Sequence, residues 1–74
     1  MKTLDNYVSE AKAITRDYFN GHLTFDQAYR AVNDAGIVAG PAPWHSREFR
    51  GYVPDLGGMI AFDIEAGSIA DFAA

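Results

Sequence analysis

Apolar positions in the first third of the chain recur at steps of three and four residues. Leu4, Tyr7, Val8, Ala11, Ile14, Thr15, Tyr18 and Phe19 share one side of a helical wheel, while Asp5, Glu10, Lys12, Arg16 and Asp17 fall mostly elsewhere. The spacing predicts an amphipathic helix, capped at its start by Thr3 and ended by the left-handed residue that Asn20-Gly21 supplies. A second start signal follows at once. Thr24 and Gln27 stand at capping-box spacing, Leu23 and Ala28 suit the accompanying hydrophobic staple, and Phe25, Ala28, Tyr29 and Val32 draw a second stripe. This helix should end at Gly36, with Ile37 folding back on Val32 to close a Schellman motif. Residues 3–36 therefore read as a helical hairpin.

The period then changes. Residues 37–46 form a Pro/Gly connector, because Pro41 and Pro43 each remove a backbone donor and push the preceding residue toward extended geometry. Trp44–Arg50 has two readings, a short helix with Pro43 in its first turn or an irregular lead into a strand. Met59–Glu65 alternates, with Ile60, Phe62 and Ile64 on one face and Asp63 and Glu65 on the other, as in a half-buried strand. Phe49–Val53 is its expected partner and Asp55-Leu56-Gly57-Gly58 the expected turn. Farther on, Ser68 and Asp71 suit caps of a last helical turn, and Ile69–Phe72 equally suits a third short strand. The expected fold is α+β: an N-terminal helical hairpin packed on one face of a small antiparallel β-sheet. Leu4, Val8, Ala11, Phe25, Val32, Ile60, Phe62 and Ile64 are its expected core.

With 74 residues, 49% hydrophobic and 22% charged, the chain has globular composition and reads as a single domain over 1–74, its last part (47–74) an acidic β-hairpin and tail. The absence of cysteine excludes disulfides and thiolate metal sites, so packing or self-association as a homodimer must stabilise it. No stretch approaches the roughly 20 apolar residues of a membrane span, and Met1–Asp5 runs into the amphipathic pattern without a signal-peptide core. The expectation is a cytoplasmic protein with no membrane partner. The net charge of −4 is local: residues 1–50 hold six acids and six bases, whereas residues 51–74 hold Asp55, Asp63, Glu65 and Asp71 and neither Lys nor Arg.

Several chemistries fail on spacing. If Gly21 is taken as the glycine of a calcium loop, the ligand positions fall on Arg16, Tyr18 and Gln27, which lack the required carboxylates. His22 and His45 lie in different connectors without a pattern that sets two ligands on one face. Ser46 beside His45 has no oxyanion loop, and Gly57-Gly58 lacks the Gly-Lys-Ser/Thr ending of a phosphate loop. No catalytic residue, metal ligand or cofactor is therefore assigned, and the expectation is a non-enzymatic protein.

One alternative is a DNA-binding regulator. The element order resembles a winged helix, with Arg47 and Arg50 at three-residue spacing on the helix reading of Trp44–Arg50. The hairpin that would be its wing carries Asp55, Asp63 and Glu65, the wrong sign for a phosphate backbone. Direct nucleic-acid binding is not expected on that ground. The other alternative is a structural self-association domain that dimerises through the tyrosine-rich first helix.

The acidic tail remains. Residues two apart on a strand project together about 6.6 Å from each other, which sets Asp63 beside Glu65, with Asp55 at the turn and Asp71 beyond. These four acids and the aromatic Tyr52 form a candidate surface for a basic protein partner, such as a nucleic-acid-binding subunit. A solvated face that protects a sheet edge is the alternative. In size, acidity, lack of cysteine and lack of catalytic motifs the chain resembles small phage-encoded inhibitors of the anti-CRISPR type. The resemblance rests on Asp55, Asp63 and Glu65 and on no alignable stretch. It implies an inhibitor or adaptor that blocks a basic, nucleic-acid-binding surface of a bacterial defence complex.

Overall fold

Two reciprocal caps start the two helices of the computed structural model, which describes residues 2–40, 43–44, 48–63 and 71–73. Thr3 Oγ1 accepts from the Asn6 backbone N–H at 3.3 Å, and Asn6 Oδ1 accepts from the Thr3 N–H at 3.1 Å, opening helix α1 (Leu4–Phe19). Thr24 and Gln27 repeat the exchange at 3.1 and 2.9 Å to open α2 (Phe25–Asp34). Each cap satisfies amide donors that a helix start leaves unpaired. Both helices end in the same way. Gly21 and Gly36 adopt φ of +80° and +90°, and the following N–H groups of His22 and Ile37 reach back to Asp17 O and Val32 O at 2.9 and 3.1 Å. Ile37 and Val32 are both fully buried, so the apolar contact expected of the second Schellman motif is present.

The strands follow. β1 (Val38–Ala39), β2 (Glu48–Val53), β3 (Gly58–Asp63) and β4 (Asp71–Ala73) form an antiparallel sheet in the order β1-β2-β3-β4. β1 falls inside the segment that the prolines mark as connector. A two-residue strand is too short to show alternation, and its pairing is specified from a distance by Gly51 and Tyr52. Residues 48–50 are strand, so the helix reading of Trp44–Arg50 is corrected there. Phe49 then alternates with Gly51 and Val53 as buried positions, a period of two. Asp71–Ala73 is likewise strand and not a capped turn. The β2–β3 turn is Pro54-Asp55-Leu56-Gly57, one residue earlier than expected, closed by Leu56 and Gly57 N–H donating to Val53 O at 3.1 and 2.8 Å. His45, Ser46, Arg47, Ile64, Glu65, Ser68 and Ile69 lie outside the described residues.

The helical hairpin packs on one face of the sheet. Tyr7, Ala11, Ala28 and Val32 from the helices meet Phe49, Val53, Ile60 and Phe62 from the strands in one buried cluster. Of the expected core, Ala11, Val32, Ile60 and Phe62 are in it, and Leu4 and Val8 pack half-buried against it. Phe25 is a correction: it opens α2 at the rim and keeps 40% of its surface exposed, its ring edge-on to Trp44 at 5.7 Å. Trp44 is the larger core residue. It stacks on Tyr18 at 5.0 Å, and its indole N–H donates to the buried Thr15 Oγ1 at 3.0 Å. Among the described residues no helix is long and apolar enough to cross a membrane.

Candidate functional site

Alternation along β2 and β3 gives the sheet two unlike faces. Phe49, Gly51 and Val53 of β2 and Ile60 and Phe62 of β3 are buried under the helices, whereas Arg50, Tyr52 and Met59 are exposed on the opposite side. The register aligns three exposed apolar residues across the strands: Val38 pairs with Tyr52, and Tyr52 with Met59. Their exposures are 55%, 42% and 40%, so the row presents a valine, the tyrosine singled out by the sequence and a methionine to the outside. Met59 is not among the residues the sequence singles out, although the alternation that sets it in phase with Asp63 carries the signal. Val38 has no such signal, because β1 carries none of its own.

The charged residues occupy the other end of the same strands. Arg50 pairs in register with Ala61, Glu48 with Asp63, and Asp71 of β4 with Ala61. Asp63 and Asp71 thus hold neighbouring register positions. Arg50 turns its guanidinium on Glu48, with Nε and Nη2 at 3.1 and 3.0 Å from Oε1. The DNA-reading alternative needs Arg50 on a recognition helix; it lies instead on a strand beside a carboxylate.

Asp55 belongs elsewhere. It sits in the β2–β3 turn, beyond the Val53–Gly58 pair, which is itself five residue pairs and about 17 Å along the strands from the Glu48–Asp63 pair. Its Oδ2 accepts the Tyr7 hydroxyl at 3.1 Å, which ties α1 to the turn. Removal from water is the first cause that raises the Tyr7 hydroxyl above its ordinary pKa of 10.0, and the hydrogen bond and negative charge of Asp55 add to it. Lys2 opposes the shift and Glu10 reinforces it. Lys2, Tyr7, Asp55 and Leu56 line a recess of about 460 Å³. On its border the Lys2 ammonium lies 2.5 Å from Glu10 Oε2 and 2.6 Å from the Ala35 carbonyl oxygen, and 4.7 Å from the centre of the Tyr7 ring. Sequence spacing does not bring Lys2 to Ala35, because that contact depends on how the two helices cross.

Of the five expected site residues, Asp63 and Asp71 are brought near each other, Tyr52 joins an apolar row nearer the turn, Asp55 is engaged by Tyr7, and Glu65 lies outside the described residues. Among the described residues no group of three or more His, Cys, Asp or Glu side chains is placed to hold a metal ion. His22 Nδ1 lies 3.7 Å from Asp17 Oδ1 at the end of α1. Comparison with known proteins finds no matching family model, no matching curated protein and no matching solved structure.

Proposed function

We propose that this chain is a non-enzymatic inhibitor or adaptor that docks on a basic protein surface through the outer face of β2 and β3. The observation that carries this reading is the row Val38–Tyr52–Met59, exposed on the sheet face that the helices leave uncovered. Interfaces favour an aromatic or methionine anchor at the centre with polar groups around it. Tyr52 and Met59 supply the anchor. The acids supply the sign: residues 51–74 contain Asp55, Asp63, Glu65 and Asp71 and no base, which favours encounter with a cationic partner. The nucleic-acid-binding surface of a bacterial defence complex, the target implied by the resemblance to phage-encoded inhibitors, has that chemistry.

Affinity capture from a bacterial lysate tests the reading, followed by binding measurements on the recovered partner. Tyr52→Ala should weaken binding roughly 30-fold, as loss of a central anchor worth about 2 kcal/mol does. Asp63→Lys with Glu65→Lys should abolish binding and its salt dependence. The double charge reversal should leave the melting temperature nearly unchanged, and Tyr52→Ala, which loses its cross-strand neighbours Val38 and Met59, should still unfold cooperatively. A partner held equally well by both variants would end this assignment. Concentration-dependent mass in sedimentation, lost on Tyr52→Ala, would replace the foreign partner with a second copy of the chain.

A further inference from the structure

An ammonium group offers three N–H donors on a compact head, and the site around Lys2 holds three acceptors for it. One is Glu10 Oε2, a second the carbonyl oxygen of Ala35, and the third the face of the Tyr7 ring. Each has a reason to attract positive charge. Ala35 is the C-cap of α2, where backbone carbonyls lack helical partners and the helix dipole leaves partial negative charge. The aromatic face is the negative pole of the ring quadrupole. Glu10 Oε2 is a buried atom with no hydrogen-bonding partner among the described residues apart from its ion pair with Lys2.

The present occupant is partly open to solvent. Lys2 precedes the N-cap Thr3, and it is 37% exposed while Glu10 is 45% exposed. Ion pairs that open to solvent contribute little net stability. We infer that Glu10, the Ala35 carbonyl and the Tyr7 ring form a receptor for a primary ammonium group, which Lys2 fills in cis and yields to a lysine of the protein partner. A planar guanidinium, with five donors in a fixed fork, does not match three acceptors converging on one point. That the incoming group belongs to a protein rests on the basic-partner reading above; the ammonium site itself does not.

The test uses Nα-acetyl-lysine N-methylamide as probe, with the isosteric norleucine derivative as its uncharged control, followed by NMR of the full chain. In Lys2→Ala the lysine probe should cause saturable shifts at the Tyr7 ring and at the Ala35 and Gly36 amides, and the norleucine control none. The wild type should bind roughly tenfold more weakly, because a tethered competitor acts at a local concentration in the millimolar range. Lys2→Met, which keeps an apolar stem over Tyr7, should behave as Lys2→Ala does and guards against a variant that fails to fold. Adding Glu10→Gln to either should remove binding. Three results would each overturn the inference: no saturable shift in either Lys2 variant, equal affinity in wild type and variant, or equal response to norleucine. The outcome is independent of capture through Tyr52, so failure here and failure of the sheet-face reading are separately visible.

Discussion

Gly51 stands in the middle of β2 although glycine weakens a strand interior, and the reason is its neighbour. A Cβ at this position would lie 2.4 Å from Cγ2 of Ile37 and 3.3 Å from the Phe49 ring. Ile37 is fully buried, and its Cγ2 branches from Cβ, so it has no free end that could swing aside. Gly51→Ala should therefore overpack the core and cost about 1–3 kcal/mol, read from the denaturant midpoint. Ile37→Ala removes the obstructing methyl at a cost of about 2–5 kcal/mol by itself. The double variant should be less destabilised than the sum of the two, and strict additivity would show that the close approach is not the cause. Thr15 follows the same logic with a polar atom. It lies in the apolar stripe of α1 because its hydroxyl is the buried acceptor for the Trp44 indole N–H.

At the scale of elements, the signals read most directly were those carried by neighbours in sequence. Thr24 and Gln27 sit three residues apart, so the capping box that starts α2 was legible, as were Gly36 and the Ile37–Val32 closure that ends it. Thr24→Ala should lower stability by about 1 kcal/mol, because it removes the acceptor for the Gln27 N–H and the order that lets Gln27 return the bond. A melting temperature unchanged by the substitution would show that the exposed cap is not needed once the helix is packed. The hairpin was legible for a related reason, since alternation over Met59–Asp63 names its own inward face. What escaped depended on distant partners. β1 exists because Gly51 and Tyr52 offer it an edge, and Phe25 looked like core because the period of its helix says nothing of where the sheet stops. The candidate site divides along the same line. Tyr52 and the acids of β3 and β4 could be listed from sequence, but their separation into an apolar row and a charged end follows from register. The cluster of Lys2, Tyr7, Glu10 and Asp55 needs three elements to meet before it exists.

For the molecule as a whole, that cluster is the joint between layers at the turn end of the sheet. Tyr7 of α1 donates to Asp55 of the β2–β3 turn across 48 positions of sequence, with the ring buried and the hydroxyl raised above pKa 10.0 by loss of water and then by Asp55. The sign of the consequence is fixed. A hydroxyl that holds its proton more tightly in the folded chain leaves the unfolded chain with fewer protons once pH exceeds 10.0, so stability falls as pH rises from there through the folded value. Below pH 10.0 both states are protonated at this site and it adds no pH dependence. Chemical denaturation across the alkaline range should therefore show a larger loss of midpoint in the wild type than in Tyr7→Phe, which has no proton to lose. Asp55→Asn should fall between them. It removes the charge and weakens the hydrogen bond that add to the shift but keeps the burial that is its first cause. Parallel alkaline curves for wild type and Tyr7→Phe would mean that another group governs base unfolding.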